Sequence, residues 1–244
     1  MSIRVIVGVV LTVMMFGVAS AQEEIGPVGM WQFEEESGLA VMDTSGNGLD
    51  GKLYNPENVK RVEGKVGKAL EFSGTERYKG GCVLVPGMKK LDLSKGFTFE
   101  TWIRFNDKHV RQDTCYIASD GAWKGPGWRF IIYYNTLAIQ SGDGKDGWGA
   151  NSKAAEHGGF ENNRWYHVAA TYDGSVYKVY LDGVEAGSSK PNLKLTKGSD
   201  TLTIGSYSGG MTSVFKGTID EIRLYNQAKS ALEIAKDARI DVLL

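Results

Sequence analysis

Two segments far apart in the chain carry residues fit to hold a hard cation. The first, Asp43-Thr-Ser-Gly-Asn47-Gly-Leu-Asp50-Gly51, is dense in oxygen donors and glycines. Calcium takes roughly six to eight oxygens, and glycines let backbone carbonyls turn inward. The same composition also makes an ordinary turn, because Asp, Asn and Ser bond to their own backbone. The second segment, Gly217-Thr-Ile219-Asp220-Glu-Ile222-Arg-Leu224-Tyr225, reads as a strand. If Ile222 and Leu224 face the core, a period of two sends Asp220 the same way. A carboxylate there needs compensation. It could come from a cluster of backbone N–H groups, a basic partner, or a cation shared with the 43–51 loop. The cation, calcium, is the preferred reading.

Acid–base catalysis finds less support. Glycosidases that use two carboxylates must converge them on one bond. Glu34, Glu35 and Glu36 are consecutive and cannot share a face, while Glu100 stands opposite Phe97 and Phe99 with only Trp102 and Arg104 near it. His109, His157 and His167 lack metal-ligand spacing, and His167 reads as a packing or hydrogen-bonding residue. Neither a Gly-x-Ser-x-Gly elbow nor a phosphate loop is present. The chain reads as non-catalytic.

Binding chemistry is better represented. Gly121-Ala-Trp123-Lys-Gly-Pro-Gly-Trp128 and Gly142-Asp-Gly-Lys-Asp-Gly-Trp148 place three indoles in glycine-rich loops. Exposed aromatics beside polar groups stack on the apolar faces of sugars. The alternative is that these indoles plug the ends of a strand sandwich. Tyr207 and Tyr78 are weaker candidates. Cys82 and Cys115 each lie in a strand-like run, so a disulfide between neighbouring strands is geometrically possible. Both could equally be small core residues.

The elements that must position these residues are short strands. Of 244 residues 32 are glycine, about twice the usual ~7% share, and they separate runs rich in Val, Ile, Thr, Tyr and Phe. Hydrophobic residues make up 42% and charged residues 23%, which excludes a disordered or fibrous chain. A net charge of −1 gives no basic face for nucleic acid. The run Phe97 to Phe105 alternates cleanly, and Arg129–Tyr134, Trp165–Tyr172, Val176–Leu181, Leu202–Ile204 and Ile219–Tyr225 behave alike. Asp173-Gly174 and Asp182-Gly183 mark turns. Ser230 and Glu233 form a capping box for one short C-terminal helix. The expected fold is all-β, a two-sheet antiparallel sandwich with that helix at one end.

The chain opens with Arg4 and an uncharged apolar run to Ala21, closing in Ala19-Ser20-Ala21. Residues 1–21 therefore read as a signal peptide, removed on export, with 22–27 as a linker, 28–240 as one domain and 241–244 as a tail. No membrane span is expected after cleavage; the alternative is that the segment is kept as an uncleaved membrane anchor, for which the apolar run is short. The expected location is secreted or in the cell envelope.

The loop DTSGNGLDG, the run Trp165-Tyr-His167-Val-Ala-Ala-Thr-Tyr-Asp173-Gly174, the turn Tyr180-Leu-Asp182-Gly183 and the closing GTIDEIRLYN together resemble a LamG-like jelly-roll domain. Such domains belong to the concanavalin A-like lectin/glucanase superfamily, with laminin G and pentraxin modules. The resemblance covers about 28–240 and is weak between about 106 and 160. It implies two curved sheets with the first and last strands adjacent, bringing Asp43 close to Asp220. It also implies a structural calcium held by Asp43, Asn47 and Asp220. The function it implies is a secreted, non-catalytic module. Its ligand would be a glycan, or an extracellular protein without glycan affinity; a glycoside hydrolase is the remoter alternative.

Overall fold

A computed structural model describes residues 26–74, 79–106, 114–121, 125–143, 148–153, 159–191, 195–207, 209–210 and 212–239, with backbone alone at 143 and 148–153. The expected signal peptide, Tyr78, His109, Trp123, His157 and the 241–244 tail lie outside these residues.

In chain order the strands are β1 (Gly29–Trp31), β2 (Ala40–Val41), β3 (Gly51–Tyr54), β4 (Val59–Glu63), β5 (Lys68–Phe72) and β6 (Cys82–Pro86). The middle of the chain gives β7 (Phe97–Phe105), β8 (Cys115–Ser119), β9 (Pro126–Tyr133), β10 (Thr136–Asp143) and β11 (Trp148–Lys153). Then follow β12 (Trp165–Tyr172), β13 (Tyr177–Leu181), β14 (Val184–Ser189), β15 (Thr201–Ile204), β16 (Gly217–Tyr225) and helix α1 (Ala231–Asp237).

They form two antiparallel sheets. Sheet A runs β14-β13-β12-β7-β16-β5-β4, with β1 also on β16; sheet B runs β11-β10-β9-β8-β15-β6-β3-β2. The expected adjacency of first and last strands is present, since Met30 pairs with Arg223 and Trp31 with Ile222. Between the sheets lies one core, to which β7 contributes Phe97, Phe99, Ile103 and Phe105 and β9 contributes Trp128, Phe130 and Ile132. Alternation fixes these sets: consecutive side chains leave opposite faces of a strand.

The other face of β7 is also buried. Thr98 and Glu100 are fully buried and Trp102 nearly so, because the segment after β16 folds back over sheet A. Thr98 Oγ1 donates to the Gln227 carbonyl at 2.8 Å, and the Lys229 N–H donates to Thr98 Oγ1 at 2.8 Å. Ile234 of α1 packs on Ala169 and Tyr180. The expected capping box is formed: the Ser230 N–H donates to Glu233 Oε2 at 2.7 Å, and the Glu233 N–H donates to Ser230 Oγ at 3.3 Å.

Of the two Asp-Gly turns, the second is the tight one. Asp182 and Gly183 have φ of 49° and 79° and join Leu181 directly to Val184. This is the mirror-image geometry that matches strand twist. The first spans four residues, and Asp173 Oδ1 accepts the N–H groups of Ser175 and Val176.

The disulfide expectation is corrected. Cys82 and Cys115 are buried free thiols, carried on β6 and β8, and β15 lies between those strands. Two strand spacings are about 9.5 Å, beyond the ~4.4–6.8 Å that a disulfide spans between Cα atoms. Burial pushes the thiols up to about 11 and about 12, so neither is reactive at neutral pH.

Candidate binding site

Asp220 is fully buried, but on the opposite face from the one alternation implies. It pairs with Trp102, while Ile219 pairs with the core residue Ile103. The register slips between Asp220 and Arg223, and Glu221 has φ of 49°. This bulge inserts one residue, so Ile219 and Ile222 both reach the core and Asp220 faces outward. The turn between β4 and β5 closes over it. Asp220 Oδ2 accepts the N–H of Lys65 at 2.7 Å and of Val66 at 3.1 Å, and Oδ1 accepts the N–H of Glu221 at 2.8 Å. Burial outweighs these bonds and raises its pKa to about 7.

Asp43 has a separate cradle. Oδ1 accepts the N–H groups of Met30 at 3.0 Å and Ser45 at 2.9 Å, and Oδ2 accepts that of Leu49 at 2.9 Å. Partial burial opposes the charge, but the Ser45 side chain and these N–H groups hold its pKa below the usual range. Asn47 Nδ2 donates to Ser45 Oγ at 3.1 Å. The two carboxylates share no hydrogen-bond partner. Among the described residues no three acidic, His or Cys side chains gather at one point. Oxygen lone pairs turned toward N–H donors suit a carboxylate cradle and do not fit a shared calcium ion. Of the three ways to compensate Asp220, the backbone N–H cluster is the one formed.

The densest ionisable cluster lies under the C-terminal segment. Glu100 Oε1 accepts from Lys229 Nζ at 3.3 Å, Glu100 Oε2 stands 3.8 Å from His167 Nε2, and Lys229 also bonds to Asp237 and Tyr225. Burial, with Asp237 nearby, pushes Glu100 up to about 7 against the pull of Lys229. Burial pushes His167 down to about 3, assisted by Arg223 and Lys229. Burial works against the Lys229 ammonium, but Glu100 and Asp237 outweigh it and raise its pKa. The Glu100 and His167 side chains are each 1% exposed, so no substrate reaches them. The sequence pairs Glu100 only with its strand neighbours; its partners come from β12 and from beyond β16.

A cleft lies at one end of the sandwich, between residues 88–94, the end of β8, the start of β9 and residues 195–199. Met88, Leu93, Asp120, Trp128, Leu195 and Gly198 line it. Its enclosed space is about 10 Å³, room for about one water, within a hollow of about 280 Å³ that includes the solvent at its mouth. Asp120 is 5% exposed, and its Oδ1 accepts the Trp128 N–H at 2.6 Å. Burial pushes its pKa up to about 7, against that hydrogen bond and the Arg129 charge. Gly198 lies directly against the Asp120 carboxyl, where a Cβ would collide. Thr196 Oγ1 donates to the Gly142 carbonyl at 3.3 Å, joining the 190–200 loop to β10.

The ligand candidates separate accordingly. Trp128 is a core residue, fully buried and stacked on Phe97 at 5.1 Å; as the third residue of β9 it falls on the inward set with Phe130. It is not an exposed platform, although its edge forms the inner wall of the cleft. Trp148 starts β11, its backbone paired with Gly142, the residue whose carbonyl accepts from Thr196. Tyr207 is beyond the far end of β15, half-buried against Tyr116 at 5.1 Å, and is not brought to the cleft. Sequence reasoning missed Asp120, whose only signal was an acidic residue closing a β-rich run before a glycine.

Residues 78–235 match a laminin G family described as the Concanavalin A-like lectin/glucanases superfamily. Among solved structures, the binding domain of botulinum neurotoxin DC in complex with SialylT is 17% identical with a TM-score of 0.69, covering 88% of this chain and 51% of that one. The same domain in complex with rat synaptotagmin II gives 17%, 0.68, 88% and 51%. The binding domain of Paraclostridial Mosquitocidal Protein 1 gives 15%, 0.71, 89% and 53%. These likenesses show a shared fold, and this chain spans about half of each of those chains. Mouse pappalysin-1 is 29% identical over 86 residues, 33% of this chain and 5% of that protein.

Proposed function

Since this chain belongs to the laminin G family of the concanavalin A-like lectin/glucanase superfamily, we propose that it is an exported, non-catalytic binding module whose principal ligand is a glycan. The supporting observation is the cleft end of sheet B. Asp120 at the end of β8 and the core indole Trp128 line a cleft there, and the glycine-rich sequence stretches bearing Trp123 and Trp148 follow β8 and lead into β11 along the chain. An aromatic surface beside a hydrogen-bonding carboxyl is what holds a sugar. Hydrolysis needs two carboxyl groups roughly 5–10 Å apart across the bond, and among the described residues Asp120 is the single acid lining this cleft. Export is supported by the apolar run of residues 5–21 and its small-residue ending. Among the described residues no helix is long and apolar enough to cross a membrane.

The mature chain, residues 22–244, should be retarded in native gels cast with soluble polysaccharides such as laminarin or xylan, and Trp123→Ala with Trp148→Ala should weaken that retardation about tenfold. Migration unaffected by every polysaccharide would discard the glycan reading. An extracellular protein ligand is the second reading, favoured by the synaptotagmin II complex of the structurally similar neurotoxin domain.

A further inference from the structure

The turn between β9 and β10 contains two residues, Tyr134 and Asn135, with φ of 44° and 66°, and joins Tyr133 directly to Thr136. Asp182-Gly183 makes a comparable turn with residues that suit positive φ. A tyrosine at that position is strained, because its Cβ crowds the backbone. The residue is also left 62% exposed, and Tyr133 43% exposed. The two rings pack edge to face, 4.7 Å between centroids at 85°.

The tip is braced from behind. Asn135 Oδ1 accepts the Phe160 N–H at 3.5 Å, and Phe160 is buried against Phe105 and Tyr166. The residues that follow are polar and well exposed. Glu161 and Arg164 stand 3.8 Å apart with side chains 72% and 48% exposed, and Arg164 bonds to Asp182 at 2.7 Å. Strain and exposed aromatic area, borne without packing return inside the molecule, have their return outside it.

We propose that Tyr133 and Tyr134 form a platform for a pyranose ring, a second glycan contact at the opposite end of sheet B from the cleft. The inference rests on the glycan reading above. One tyrosine face stacks on the apolar C–H face of the sugar, and the other ring, set at a right angle, walls its edge. Hydroxyl groups at the sugar's rim meet the Glu161–Arg164 segment. A protein hot spot would be ringed by groups that exclude water; here the neighbouring segment is charged and wet, which suits a polyhydroxylated ligand.

Tyr134→Asn tests this without endangering the fold, because Asn is favoured where φ is positive. Tyr133→Ser is the second variant. In gels containing laminarin or xylan, each should be retarded about tenfold less than the native chain, with an undiminished melting temperature. Retardation equal to native in both variants, while Trp123→Ala and Trp148→Ala lose it, would overturn the platform and leave the cleft reading standing. No retardation of the native chain would remove both together. A native dimer on a sizing column that both variants convert to monomer, with retardation unaltered, would also overturn it by making the tip a self-contact.

Discussion

The outer face of sheet A and the tip of the β9–β10 hairpin invert each other. The first holds Glu100 and His167, residue types that do acid–base chemistry, and seals them under the C-terminal segment that supplies Lys229 and Asp237. The second holds two tyrosines, which a core would accept, and leaves them in water. Position decides role. A carboxyl that no substrate can reach has become a fastening for the C-terminal segment, whereas an aromatic pair that packs only on itself at an exposed tip is available to a ligand.

The largest effect should come from breaking the sealed side. Lys229→Met leaves Glu100 without its cation and should cost ~3 kcal/mol at pH 8 in urea unfolding. At pH 5 the loss should shrink, because Glu100, already raised to about 7, takes up a proton. Replacing both, Glu100→Leu with Lys229→Met, should recover much of the loss. Equal stability of Lys229→Met and native at pH 8 would show that the fastening carries no weight.

Next comes Asp220→Ala, which orphans the N–H groups of Lys65, Val66 and Glu221. It should destabilise the fold by ~2–3 kcal/mol, and the native melting temperature should not respond to a calcium chelator. A melt that falls in chelator would restore a shared cation in place of two separate cradles.

The open side carries its own pH signature. The Asp120 pKa is raised in the folded chain to about 7 from an unfolded 3.8. The folded state therefore binds the extra proton between those values, and the stability this confers, complete below the unfolded pKa, is lost as pH rises through about 7. Asp120→Asn should flatten that part of the curve of unfolding free energy against pH. A slope unchanged from native would place the titration elsewhere, in Glu100 or Asp220.

The smallest effect belongs to the tip. Tyr134→Asn should raise stability by ~0.5 kcal/mol, through relief at φ of 44°. A clear destabilisation would mean that the ring packs on something and is not offered to solvent.

Sequence pattern made the frame legible. Phe97 to Phe105 and Trp165 to Tyr172 alternate so regularly that both appear as strands β7 and β12, and Ser230 with Glu233 marks the helix start. What it could not give was anything created by a local break in that regularity. The bulge at Asp220 reverses the face assigned by counting in twos, because a single extra residue resets the phase. The thiols of Cys82 and Cys115 sit in strand-like runs, but which strands lie side by side is a property of topology, and β15 comes between them. β14, exposed and containing Gly187, Ser188 and Ser189, has no apolar rhythm to read at a sheet edge. Trp128 was separable from a loop indole only by knowing that β9 begins at Pro126. Glu100 acquired its partners from residues 67 and 129 positions away, beyond the reach of any window along the chain.

The pairing of β1 with β16 has a consequence in time. Trp31 finds its neighbour Ile222 only after nearly two hundred intervening residues exist, so sheet A is left incomplete on a nascent chain until its second-to-last element emerges. Loop closure over such a span slows assembly. A product stopped before residue 220 would leave the first strand's backbone and its tryptophan without their β16 partners.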